Sequence, residues 1–68
     1  MARDEEAEAY ARRAWNTWRR LRGNDSTETL KAQTVLAAIL ARLERFEEAE
    51  ELLRPALPKL QHQLGDHH

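Results

Sequence analysis

The stretch RFEEAEELLRPAL at residues 45–57 determines the fold, because residues 3–15, RDEEAEAYARRAW, carry the same pattern 42 residues earlier. The matched positions are identical or both apolar: Arg3 and Arg45, Ala7 and Ala49, Tyr10 and Leu52, Ala14 and Ala56, Trp15 and Leu57. In both copies the apolar residues recur every three or four positions, which is the spacing of an amphipathic helix. A repeat of this length is typical of stacked helical hairpins.

Beyond this repeat, the apolar periodicity predicts an all-α fold of three antiparallel helices, at about residues 4–22, 26–44 and 46–64. The helices are joined by short turns, with Gly23 suited to the end of the first helix. Ser26, or Asp25 acting with Glu28, can cap the second helix. The apolar residues of the second helix, Val35 among them, cover well over half its circumference, so the helix needs cover from two sides and should lie in the centre.

The apolar stripes of the outer helices indicate which residues face inward. On the first helix the stripe includes Tyr10, Trp15, Trp18 and Leu21, with Trp15 at its edge; on the third it includes Phe46 and Leu57. Pro55 and Pro58 each remove a backbone hydrogen bond inside the third helix. Because the stripe continues in register to Leu64, we expect a kink between residues 53 and 58, with a complete break as the alternative.

Length and charge restrict the class of protein. With 68 residues, the chain fits a single small domain spanning 1–68. Its net charge is −1 and it has no cysteine, so there is neither a general field for nucleic acid nor a disulfide or thiolate metal site. Neither a membrane-spanning run nor a signal-peptide core is evident, so a cytoplasmic location is expected. The excess of arginine over lysine is typical of GC-rich bacterial genes.

The chemistry-bearing residues do not converge on a catalytic, cofactor or metal site, so no enzyme activity is expected. His62 lies on the polar side of the third helix, and His67 and His68 belong either to a natural end or to a purification tag. The carboxylates of residues 47–51 point in different directions around a helix instead of converging on a cation. Arginines interleave with tryptophans in residues 12–22, a pattern that also occurs in nucleic-acid binding, but core tryptophans with a solvated arginine face explain it better.

Residues 45–57 resemble the second helix of a tetratricopeptide repeat, with Ala49 and Ala56 at its small-residue positions. Residues 23–30, GNDSTETL, resemble the linker of the 42-residue, kinesin-light-chain-like subclass. Glu44 stands where the family has a glycine between paired helices.

The resemblance implies about one and a half repeats. Residues 1–23 would be the second helix of a preceding half repeat, 24–65 one full repeat, and 66–68 a truncated linker or tail. Repeat proteins of this kind generally need about three units to be stable. We therefore expect either a larger parent protein or partner that supplies the missing helices, or a homo-oligomer, whose interface would include Trp15, Trp18, Leu57, Leu60 and Leu64.

The resemblance also implies a non-catalytic module for protein–protein interaction, with a partner groove lined by the first helix of each repeat. The matching residues are Lys31, Thr34, Ala38 and Arg42, whose two cations suit an acidic peptide. The subclass often has an Asn-Asn pair that clamps bound peptides, and this chain has Thr34 and Val35 there. The alternative is a structural fragment or designed scaffold whose exposed helix faces pair with copies of itself.

Overall fold

The computed structural model describes residues 2–64, which form three α-helices connected by short turns. These are α1 (Ala2–Arg22), α2 (Thr27–Arg42) and α3 (Phe46–Leu64). The prediction of an all-α fold with three helices is confirmed. The predicted tail at 66–68, with its two histidines, lies outside the described residues.

The first turn uses the backbone freedom of glycine and a serine cap. Gly23 adopts a φ of 86°, and its N–H donates to the carbonyl of Arg19 at 3.0 Å. The Ser26 hydroxyl accepts a hydrogen bond from the Thr29 N–H at 3.1 Å, so Ser26 is the N-cap of α2. The Thr29 hydroxyl in turn donates to the Gly23 carbonyl at 2.7 Å. The turn is therefore closed at both ends by hydrogen bonds.

The second turn makes a similar reversal without glycine. Glu44 adopts a φ of 64°, the left-handed conformation that a side chain disfavours. Its N–H donates to the Ala41 carbonyl at 2.9 Å, and the Arg45 N–H donates to the Leu40 carbonyl at 2.9 Å. These bonds satisfy the last carbonyls of α2, so α2 ends at Arg42.

The core forms around α2, which packs against both α1 and α3. Leu30, Leu36 and Leu40 of α2 are almost completely buried. Ala11 of α1 and the small residues Ala49 and Ala56 of α3 are also buried, as expected when α2 lies between the other two helices. Burying each leucine contributes about 2 kcal/mol, so these side chains are the main stabilising element.

The third helix continues through both prolines, so the alternative of a complete break is wrong. The end of α3 is held to the first turn, because Lys59 Nζ lies 2.6 Å from Asp25 Oδ1 and Gln63 Nε2 donates to the Asp25 carbonyl at 2.8 Å. Gln33 Nε2 of α2 donates to the Leu52 carbonyl at 2.7 Å, just before the first proline. Contacts with the rest of the fold therefore hold α3 on either side of its weakened segment.

Four stripe residues that the periodicity directs inward are exposed instead: Tyr10 and Leu21 on α1, and Phe46 and Leu57 on α3. Tyr10 is 76% exposed and Phe46 is 63% exposed. Each belongs to a wide apolar stripe, and α2 covers only one side of that stripe on each outer helix. The expectation of inward orientation was therefore wrong for these four side chains.

Candidate binding surface

The side of α2 that faces away from α1 and α3 forms a continuous exposed strip. Its residues follow one another at three- and four-residue spacing, so they lie on one face of the helix: Glu28, Lys31, Val35, Ala38 and Arg42. Val35 is the large apolar side chain of this strip, and it is 54% exposed. We call these five residues the α2 strip.

Three of the four residues predicted for a partner groove lie in the α2 strip. Lys31, Ala38 and Arg42 are at least partly exposed, whereas Thr34 is half-buried and its hydroxyl donates to the Leu30 carbonyl at 2.9 Å. Sequence reasoning missed Val35 as an exposed residue of this surface. The signal was present in its spacing from Lys31 and Ala38, but an aliphatic residue on an apolar helix is usually assigned to the core.

The strip carries two cations in different environments. Arg42 Nη2 lies 3.4 Å from Asp4 Oδ1, while most of the Arg42 side chain is exposed. Among the salt bridges of residues 2–64, none involves Lys31. Lys31 is thus the cation more available to an acidic group from outside.

An apolar groove between α1 and α2 adjoins the strip. Its lining consists of small and aliphatic residues with one tyrosine: Ala7, Tyr10, Ala11, Ala14, Ala32, Val35 and Ile39. Val35 belongs to both the strip and the groove, so the two surfaces are continuous. A partner that contacts the strip therefore has apolar surface beside it.

A cluster of four charged side chains joins α1 to the second turn and to the first part of α3. Arg45 Nη1 lies 2.6 Å from Glu8 Oε1, and its Nε and Nη2 atoms donate to the two oxygens of Glu48 at 2.7 and 2.9 Å. Arg12 contacts Glu8 at 3.0 Å and Glu48 at 3.4 Å. Glu8 and Arg12, four residues apart on α1, thus form an ion pair within the cluster.

The hydrogen bonds in this cluster shift two pKa values. Donation from Arg45, with the charges of Arg45 and Arg12, lowers the pKa of Glu48 below its ordinary value despite some desolvation. The bonds to Glu48, and the nearby Glu8 carboxylate, raise the pKa of Arg45. Glu48 is therefore ionised at neutral pH, and the cluster holds α1, the second turn and α3 together.

The residues predicted for an oligomer interface lie in different environments. Trp15 is half-buried against the core, and the Arg19 guanidinium lies 4.2 Å from its ring centre. Trp18 is half-buried in a shallow groove beside Tyr10, Leu57 is 45% exposed, and Leu60 is half-buried. The Leu64 side chain lies outside the described part of the structure. Their role in association remains a prediction.

Neither a metal site nor a membrane span is found in the part of the chain that the structure describes. Across residues 2–64, no three histidine, aspartate or glutamate side chains come together in a way that can hold a metal ion. Within the same residues, none of the three helices combines the length and apolar character required to cross a membrane.

The paired helices, the small residues between them and the exposed strip on the central helix define an α-helical repeat protein. The family model described as tetratricopeptide repeat matches residues 1–61, and the chain belongs to this family. A search of curated proteins finds no match to the chain, and a search of solved structures finds none. Members of the family generally act as protein–protein interaction modules and are generally non-catalytic.

Proposed function

We propose that the chain is a non-catalytic module that binds a peptide or protein partner on the α2 strip. The observation that carries this proposal is the exposed aliphatic side chain of Val35 between the cations Lys31 and Arg42. An exposed aliphatic residue flanked by charge offers both the apolar contact and the charge complementarity that interfaces use.

The spacing of the two cations sets the size of the partner segment. Lys31 and Arg42 are separated by about 16 Å along the axis of α2, at about 1.5 Å per residue. An extended peptide of about five residues spans this distance. The expected ligand therefore has an acidic residue near each end and an aliphatic residue between them that contacts Val35.

The proposal includes a finer assignment within the family. Residues 23–30 and the 42-residue period support the kinesin-light-chain-like subclass with about one and a half repeats. In this assignment α1 is the second helix of a preceding half repeat, and α2 with α3 forms one full repeat. We extend the proposal to a cytoplasmic location.

A display library of random peptides tests the proposal without requiring an identified partner. Selection on the wild-type chain should enrich acidic peptides that contain an aliphatic residue. A synthetic peptide from that selection should bind at least tenfold more weakly when Lys31→Glu and Arg42→Glu are combined, because two attractions become repulsions. Arg13→Glu with Arg20→Glu is the matched control, since it makes the same charge change on α1. Equal binding by the wild type and the α2 double variant would remove this proposal.

A second candidate is self-association, which the exposed apolar side chains Tyr10, Phe46 and Leu57 favour. Light scattering coupled to size exclusion, over a hundredfold range of concentration, measures it directly. If copies pair through α3, the mass should rise with concentration and Leu57→Glu should return it to that of a monomer. The sequence also assigns Trp15 to this interface, so Trp15→Ala should likewise return the mass to that of a monomer. A monomeric mass across the whole range would exclude this candidate.

A further inference from the structure

Because of the 42-residue repeat, α1 and α3 each carry the same two helix faces. The fold covers one of these faces on α1 and the other one on α3. The first face consists of four positions on α1, which correspond in order to four on α3: Asp4, Glu8, Ala11 and Trp15, and Phe46, Glu50, Leu53 and Leu57. The second face consists of three: Ala7, Tyr10 and Ala14, and Ala49, Leu52 and Ala56. These two sets are named the first and second faces below.

On α1, the first face is the one that α2 and the second turn cover. Ala11 is buried at its centre, and the Glu8 side chain is only 14% exposed. Arg42 and Arg45 place their guanidinium groups on Asp4 and Glu8. The covering segment is thus an apolar helix followed by arginines that pair with the carboxylates of this face.

On α3, α2 covers the second face, and the first face is largely exposed. Ala49 and Ala56 are buried, while Phe46, Glu50 and Leu57 are exposed and Leu53 is half-buried against the core. A groove runs along this face and is lined mainly by apolar side chains, including Ala41 of α2. On α1, the second face exposes Tyr10 between the half-buried Ala7 and Ala14, so each outer helix leaves at least partly exposed the face that α2 covers on the other.

The exposed first face of α3 also reproduces the electrostatics of its covered equivalent. Arg54 Nη2 lies 3.5 Å from Glu50 Oε2, and the equivalent Arg12 lies 3.0 Å from Glu8. Glu8 uses its other oxygen to receive Arg45. Glu50 likewise pairs with the arginine four residues later. Because the Glu50 side chain is 68% exposed, it is also accessible to an arginine from outside.

We propose that the first face of α3 binds a helix of the α2 type supplied by another polypeptide, with an arginine after that helix pairing with Glu50. The pairing of Arg45 with Glu8 provides the geometry, and the negative charge of Glu50 provides the complementarity. Phe46 stands where α1 has Asp4, so the bound helix carries an apolar residue at the position equivalent to Arg42.

A second folded copy is not the occupant in this proposal. The α2 helix of a folded copy has Leu36 and Leu40 completely buried between its own neighbours, so it is not free to cover another surface. The α2 strip used in the proposed function also faces away from this groove. The two proposals therefore concern separate surfaces and can fail independently.

The probe is a synthetic, fluorescently labelled peptide of residues 26–45 with Arg42→Leu, which supplies the apolar residue opposite Phe46; it is titrated with the full chain and followed by fluorescence anisotropy. Binding should be saturable, and Leu57→Glu should weaken it at least tenfold because it places a charge in the apolar groove. Glu50→Arg should weaken it about two- to fivefold, the range for an exposed ion pair. A peptide with Arg45→Glu should recover that loss on the Glu50→Arg chain.

Glu51→Arg is the matched control, since it makes the same charge change one residue away from the face, and it should leave peptide binding unchanged. Lys31→Glu should also leave it unchanged, which separates this site from the α2 strip. Circular dichroism verifies that each variant retains its helices. The proposal fails if the peptide does not bind, if Leu57→Glu has no effect, or if Tyr10→Glu on α1 abolishes binding instead. It also fails if the chain is a dimer that Leu57→Glu dissociates, because a second copy then covers the face.

Discussion

Two single residues, Gly23 and Glu44, end helices in the left-handed backbone region, but they do so at different energetic cost. For a residue with a side chain this conformation costs roughly 1–2 kcal/mol, whereas glycine adopts it readily. An added Cβ at Gly23 would meet no atom within 4 Å, so glycine is favoured here by the backbone conformation and not by lack of space for a side chain. The two turns therefore store different amounts of strain for the same change of chain direction.

Replacing Glu44 with glycine should stabilise the chain. Relief of the left-handed strain exceeds the added flexibility of the unfolded chain, so Glu44→Gly should raise the free energy of unfolding by about 0.5–1 kcal/mol. Glu44→Ala is the control, because it removes the carboxylate but keeps the Cβ. Gly23→Ala should lower the free energy by about 1 kcal/mol. Urea denaturation measures all three variants, and equal stability of Glu44→Gly and Glu44→Ala would contradict the strain argument.

The carboxylate of Glu48 makes stability depend on pH in the acid range. Its pKa is lowered in the folded chain from an ordinary value of 4.5, chiefly by the hydrogen bond from Arg45. The stabilisation is therefore complete above about pH 4.5 and is lost as the pH falls through the lower folded-state value.

Glu48→Gln tests this linkage through the thermal unfolding midpoint. At pH 7 the wild type should have the higher midpoint, and the difference should shrink as the pH is lowered below 4.5. Glu47→Gln is the control, because Glu47 is an exposed neighbour in the same turn of α3. A difference that stays constant between pH 7 and pH 3 would show that the cluster is not the source of the effect.

At the level of the helices, α2 and α3 are joined by a buried polar side chain as well as by apolar packing. Gln33 is buried in the α2–α3 interface and donates to the Leu52 carbonyl. This contact lies at the start of the segment in which Pro55 and Pro58 remove backbone bonds, three residues before Pro55. Gln33 therefore stabilises α3 where its own hydrogen bonding is weakest.

Replacing Gln33 with methionine removes this hydrogen bond at similar side-chain volume. We expect Gln33→Met to lower the free energy of unfolding by about 1 kcal/mol, the usual net value of one hydrogen bond. Gln61→Met is the control, since Gln61 is exposed on α3. Denaturant titration gives both values, and an unchanged or higher stability of Gln33→Met would mean that packing alone holds the two helices together.

The sequence predicted the helices well because apolar periodicity and helix-capping residues are local signals. It did not predict the surface of α2 as well. Periodicity shows that a helix is apolar on most sides, but it does not show which side lacks a neighbour. Val35 was consequently assigned to the interior and Thr34 to the surface, so the predicted exposed face of α2 was displaced by one residue at this point. Tyr10 was misassigned for the same reason, since its stripe is wider than the contact with α2.

For the whole molecule, α2 is the helix that both outer helices share. Its fully buried residues contact the core from both sides, so loss of α2 packing removes the support of α1 and α3 together. Small domains of this size have only a few kcal/mol of net stability. The chain should therefore unfold in one cooperative step, in which all three helices are lost.

Leu36→Ala tests this shared role. Truncation of a fully buried leucine costs about 2–5 kcal/mol, which is comparable to the total stability of a small domain. The variant should be largely unfolded at 25 °C by circular dichroism. Leu21→Ala is the same substitution at an exposed position of α1 and should change stability by less than about 0.5 kcal/mol. Retention of native helicity by Leu36→Ala would contradict the central role of α2.

The complementary exposure of the first and second faces has a genetic consequence. A tandem duplication of one 42-residue unit adds a helical pair whose contacts with its neighbours already exist in the single copy. The added central helix meets on α3 a face equivalent to the one that α2 meets on α1, so a new interface needs little change by mutation beyond an apolar residue in place of Arg42, opposite Phe46. Unequal recombination within such a gene therefore changes the length of the protein in whole repeats while preserving its packing.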